Sequence, residues 1–175
     1  MASRNVRSGD ELREATVHLI YEVQMARMAA HVLTLLPIHN PFDKNVYIEA
    51  LANHTRALVH FMFPEHPMPD DVLAEDYFDN PAAWNKARGP TMPTALEKVR
   101  SRVGKEIVHL TYARLSVTDE AKGWNTPAII GALDKLLEVF ANYATRLEAS
   151  ALDQIGQPGR YGTGTGPTGP VGTAA

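Results

Sequence analysis

The run DELREATVHLIYEVQMARMAAHVLTLL, Asp10 to Leu36, contains neither glycine nor proline and is stopped by Pro37. Ser8, with Glu11 three residues on, has the capping-box spacing just ahead of it. A long first helix is therefore expected. At about 100° per residue, Leu12, Ala15, Leu19, Val23, Ala26, Ala30 and Leu33 form one apolar stripe. Tyr21, Met25, Met28, Val32 and Leu35 form a second on the opposite side. A helix apolar on two sides sits centrally in a bundle or is shared with a partner subunit.

Beyond it, Pro37 to Asp43 reads as a turn into a second helix over Lys44 to Phe63. Its stripe is Ile48, Leu51, Ala52, Thr55, Leu58, Val59 and Met62, and Pro64, Pro67 and Pro69 end it. Pro64 to Pro93 is a long connection with one short helical candidate, Asp70 to Tyr77; connections of this length are functional or wrap the domain body. A third helix is expected from a Thr94 cap, with Glu97 three positions on, to Leu115. Thr126 as N-cap and Pro127 at the first helical position open a fourth, running to Gln154, with Ile130, Leu133, Leu137, Phe140, Ala141 and Ala144 inward. No segment alternates with period two. The reading is all-α, a four- to five-helix bundle over residues 8–154, followed by a flexible Gly/Pro/Thr-rich tail over 155–175.

At 175 residues the chain has room for one ordinary domain, and 45% apolar residues suffice for a core. It has no cysteine, which excludes disulfides, thiol nucleophiles and cysteine-ligated metals. A net charge of −3 argues against coating nucleic acid or an anionic membrane. No apolar run is long enough to span a bilayer and the first ten residues do not read as a signal, so the expectation is a cytoplasmic protein without membrane association.

The charge is segregated. Lys86 to Arg114 holds seven basic and two acidic residues, whereas Glu65 to Asp79 holds six acids and no Lys or Arg. Either the acidic connection folds over the basic helix and neutralises it, or that helix offers an anion-binding groove suited to a short single strand.

Arg102 and His109 lie seven apart. On a continuous helix they share one face, within roughly 20° of each other and about 10 Å apart along the axis. Leu96, Val99, Val103, Ile107 and Leu110 centre about 100° away, so the pair flanks the buried stripe. Glu49, Asn53, Arg56 and His60 form a similar ridge on the second helix, and facing flanks would converge two histidines, two arginines and a carboxylate. Gly104, between Arg102 and His109, costs roughly 1 kcal/mol of helix propensity against alanine and marks a close approach or a kink.

Arg-x6-His on the third long helix of an all-α chain resembles the motif of the HEPN superfamily (higher eukaryotes and prokaryotes nucleotide-binding domains). More narrowly, Asn53-His54-Thr55-Arg56-Ala57-Leu58, the stretch from Asp70 to Phe78, Lys105-Glu106-Ile107-Val108-His109-Leu110-Thr111-Tyr112-Ala113-Arg114 and Lys122-Gly123-Trp124 look like landmarks of a group of uncharacterised bacterial proteins, over residues 49–140. The resemblance implies a dimerising helical bundle with both Arg/His pairs at one cleft and, in active members, metal-independent RNA cleavage. Carried over, His109 takes the proton-transfer role and Arg102 the phosphate role, with Arg56, His60, Lys105 and Arg114 as substrate-binding candidates. The residue types suit that chemistry: an imidazole with pKa near 6.5 accepts a ribose hydroxyl proton and a guanidinium neutralises phosphate charge.

The seven histidines show no metal-ligand spacing, so no metal or other cofactor is expected; His18, His31, His54 and His66 read as surface or hydrogen-bonded groups. Asp70 and Asp71 read as helix-start acids, Arg114 as pairing with an acid or capping carbonyls, and Trp84 and Trp124 as anchors of the fold. Two functions are therefore expected to compete: an RNA-directed ribonuclease or RNA-binding domain, probed by cleavage in EDTA, and a non-enzymatic helical interaction protein in which Arg102 and His109 tie helices together. In both the chain is expected to be a homodimer through the first helix or its neighbours.

Overall fold

The expected capping box forms at the first helix: Glu11 N–H donates to Ser8 Oγ at 3.2 Å and Ser8 N–H to Glu11 Oε2 at 2.7 Å. The computed structural model describes residues 6–116 and 123–157. The tail expected beyond 157, and Lys122 among the landmarks, lie outside the described residues. The described residues form six α-helices: α1 Gly9–Leu35, α2 Pro41–Met62, α3 Pro81–Arg88, α4 Thr94–Val103, α5 Thr126–Tyr143 and α6 Ala149–Gly156. Among the described residues there is no strand.

Asparagine caps recur where proline begins a helix. Asn40 Oδ1 accepts from Phe42 N–H at 2.9 Å ahead of α2, Asn80 Oδ1 from Ala82 N–H at 3.1 Å ahead of α3, and Asn125 Oδ1 from Ala128 N–H at 3.1 Å ahead of α5. Thr126 is therefore the first residue of α5 rather than its cap. Thr94 likewise starts α4 behind Pro93, with no side-chain cap.

The core gathers Val23 and Ala26 of α1, Leu51, Leu58 and Met62 of α2, Leu96, Val99 and Val103 of α4, and Leu133, Leu137 and Phe140 of α5. The connection wraps it, as its length implies. A single 3₁₀ turn, Ala74–Tyr77, and then α3 drive Tyr77, Phe78 and Trp84 against Phe140 at ring separations of 5.7 to 6.0 Å. Edge-on aromatic pairs of this kind contribute about 0.5–1.5 kcal/mol each beyond burial. Trp84 Nε1 donates to Met62 O at 3.1 Å, which satisfies the buried indole.

Several expected boundaries change. The second helix begins at Pro41, inside the stretch expected as a turn, instead of at Lys44, and the short candidate Asp70 to Tyr77 is a 3₁₀ turn over Ala74–Tyr77 only. The third helix stops at Val103 instead of Leu115: His109 N–H donates to Gly104 O at 2.9 Å, closing one π turn over Gly104–Val108, after which His109 is extended. The fourth divides in two. Ala144 leaves helical geometry because the next two N–H groups, of Thr145 and Arg146, both donate to Tyr77 O at 3.1 Å, while Asp79 N–H donates to Thr145 Oγ1. A contact with the connection thus outweighs continuing the helix. α6 then folds back so closely on α5 that a Cβ on Gly156 would lie 2.8 Å from that of Ala141. Ile155 is fully buried, so residues 155 and 156 belong to the bundle and not to the tail.

Of the two stripes on α1, the first supplies Leu12, Leu19, Val23, Ala26 and Ala30 to the core. The second is only partly covered. Val32 is buried, Tyr21 and Met25 are half-buried, and Met28 and Leu35 are exposed.

Candidate functional site

Arg102 stands at the end of α4, where the helix gives way to the π turn. Its Nε and one terminal nitrogen donate to the two oxygens of Glu106, each at 2.7 Å, a bidentate charge-assisted pair. The other terminal nitrogen donates to Gly123 O at 3.1 Å, and the guanidinium carbon lies 4.2 Å from the centroid of the Trp124 ring. Both Arg102 and Glu106 are largely shielded, with side chains 20% and 17% exposed. Arg102 therefore binds the end of α4 to the entry of α5.

His109 is exposed on extended backbone past the π turn, and no hydrogen bond or ion pair of its imidazole occurs among the described residues. The helical face expected to carry both residues ends before it reaches His109. The turn is internally braced: Thr111 Oγ1 donates to Lys105 O at 2.9 Å, and an Arg114 terminal nitrogen donates to Ile107 O at 3.2 Å and His109 O at 3.1 Å. Arg114 thus caps carbonyls. Lys105 projects into solvent. No neighbour lies within 4 Å of a Cβ built on Gly104, so no close approach accounts for the glycine at the start of the π turn.

The ridge on α2 takes other partners. His60 Nε2 lies 2.9 Å from Asp71 Oδ2, which also accepts from Met68 N–H at 2.7 Å. Arg56 is exposed and makes no hydrogen bond or ion pair among the described residues. Although α2 and α4 are neighbours, no hydrogen bond or ion pair joins Arg56 or His60 to Arg102 or His109 among the described residues. The acidic connection meets the basic segment at Arg100–Glu65, 2.9 Å. Farther along, Arg88 lies 4.3 Å over the Phe63 ring, where burial pulls its pKa below the usual arginine value against the raising effect of Glu75.

Two arrangements lay beyond the sequence reading. Arg27, inside an apolar run of α1, is only 5% exposed. It donates to Asp134 Oδ1 of α5 at 2.8 Å and to the carbonyls of Gln154 and Ile155, which end α6, at 3.1 and 2.8 Å. Its lone charge amid small apolar residues was the available signal. The other is a groove of about 610 Å³ lined by Leu33, Pro41, Ile48, Trp124 and Pro127, with Lys44 at its rim. Since Arg102 holds Trp124, the end of α4 and the α1–α2 turn lie at the same end of the bundle.

No group of three or more His, Asp or Glu is placed to hold a metal ion among the described residues, and none of their helices is long and apolar enough to cross a membrane. No family model, curated protein or solved structure matches the chain.

Proposed function

We propose that this protein is a non-enzymatic helical interaction module that self-associates as a homodimer through the end of the bundle formed by the α1–α2 turn, with Arg102 as a structural tie. The observation that carries this reading is the apolar surface at that end. Met28 is 43% exposed, Leu35 66%, Leu36 51%, Phe42 79% and Val46 62%. Leu36 and Val46 line one groove with Val32 and Tyr47, and Phe42 is one helical turn from Val46. Summed, these five side chains expose on the order of 500 Å², within the range of the largest apolar patch on a monomer. That is roughly the apolar share of the ~800 Å² per partner in a standard interface. Arg102 supports the same reading, since its guanidinium is committed to Glu106, Gly123 and Trp124.

An HEPN-like RNA-directed reading draws on a different observation, the exposure of Lys105 and His109 around a braced π turn, a geometry frequent at functional sites. RNA incubated with the protein in EDTA separates the two. The interaction reading expects no cleavage and a dimer by light scattering that Leu35→Glu converts to monomer. Cleavage abolished by a folded His109→Ala variant would establish the ribonuclease instead.

A further inference from the structure

We infer that Phe42 is the anchor of the association, inserting its ring into the groove beside Trp124 of a second copy; this rests on the self-association proposed above. Phe42 is the most exposed of the large apolar side chains at the α1–α2 end, held at the start of α2, where its own N–H is fixed by Asn40. Asn40 capping and Pro41 stiffen the backbone beneath it, so presenting the ring costs little ordering entropy. A rigid aromatic knob that enters a neighbouring pocket is the usual form of an interface hot spot.

The groove has room for the ring. A cavity of about 150 Å³ holds a benzene-sized group, and this more open groove offers about 610 Å³, with Leu33, Ile48, Trp124 and Pro127 as apolar walls beside polar residues such as Asn45 and Asn125. Arg102 lies over the Trp124 ring and fixes that wall in place.

Self-complementarity singles out a second copy as the occupant. In a two-fold interface the knob and the hole lie side by side on one surface, so each protomer gives one and receives the other. Pro41, which lines the groove, immediately precedes Phe42. The apolar area also matches what a stable dimer requires.

The test combines sedimentation with iodide quenching of tryptophan on the full chain. Trp84 is buried, so quenching reports Trp124. The wild type is expected to dimerise with Trp124 quenching that falls several-fold on association. Phe42→Ala, an exposed position whose folding is checked by circular dichroism, is expected to raise the dimer Kd by about 30-fold or more and leave Trp124 accessible; Phe42→Leu restores part of both. Dimerisation of Phe42→Ala at wild-type affinity, or a wild-type dimer with Trp124 as accessible as in the monomer, overturns the anchor while self-association stands. A Trp124 already shielded in the monomer means that the chain fills its own groove, which also overturns it. A wild type monomeric at every concentration removes the association itself.

Discussion

Arg27 and Asp134 form an ion pair at 2.8 Å between α1 and α5, and the same guanidinium satisfies the last carbonyls of α6. One side chain thus joins three helices, combining a shielded charge pair with a cation at a helix C-terminus. Removing one partner strands the other charge, which costs about 3–5 kcal/mol at buried sites. Asp134→Ala is expected near the lower end, since the Asp134 side chain is 20% exposed. Arg27→Ala is expected near the upper end, because the Gln154 and Ile155 carbonyls lose their donors as well. Urea unfolding of both variants reads the difference.

At the end of α4, Arg102→Lys keeps the charge but loses the fork that engages Glu106 and the planar stack on Trp124. A loss of about 1–2 kcal/mol is expected. A double-mutant cycle with Glu106→Gln is expected to show coupling of about 1 kcal/mol, and additive losses would show that the pair does not hold this junction.

Two glycines are expected to respond in opposite directions to alanine. Gly104 has φ −59° and open space around its Cβ, so Gly104→Ala stabilises by about 0.5–1 kcal/mol through helix propensity and the unfolded chain. Gly156→Ala forces a Cβ to within 2.8 Å of Ala141 and is expected to destabilise by about 1–3 kcal/mol. Thermal melts of the two variants distinguish them directly.

The capping box adds a pH dependence of known sign. The Ser8 backbone N–H, then its hydroxyl, hold the Glu11 carboxyl below its ordinary 4.5. A group with a lowered folded pKa contributes stability above 4.5 that is lost as pH falls through the folded value. Glu11→Gln is therefore expected to flatten that part of the acid limb in urea midpoints taken from pH 6 to pH 3. An unchanged slope would mean that the carboxylate contributes nothing there.

These contrasts show what the sequence could disclose. The start of α1 was legible because its cause is local: Ser8 with Glu11 is a short-range hydrogen-bond pattern, whereas Thr94 and Thr126 were read as caps one residue late and the start of α2 was placed at Lys44 instead of Pro41. Apolar periodicity likewise marked the core faces of α1, α2 and α5. Helix ends set by distant partners were not legible. Thr145 and Arg146 leave the helix for Tyr77, far back in the chain, and no local pattern records that carbonyl. Gly104 announced a weak point, but a cost of roughly 1 kcal/mol does not reveal whether a helix continues. The Arg/His spacing assumed that it did. Arg102 found Trp124 and Gly123 across the gap, and His109 was left on extended backbone.

Association through the α1–α2 end is read out by sedimentation equilibrium of the full chain. Across a micromolar concentration series the wild type is expected to move toward twice its 19.2 kDa mass. Leu35→Glu, placing a charge at an exposed apolar position at the end of α1, is expected to stay at 19.2 kDa with unchanged circular dichroism. A wild-type mass fixed at the single-chain value, or a Leu35→Glu variant that dimerises as the wild type does, would contradict it.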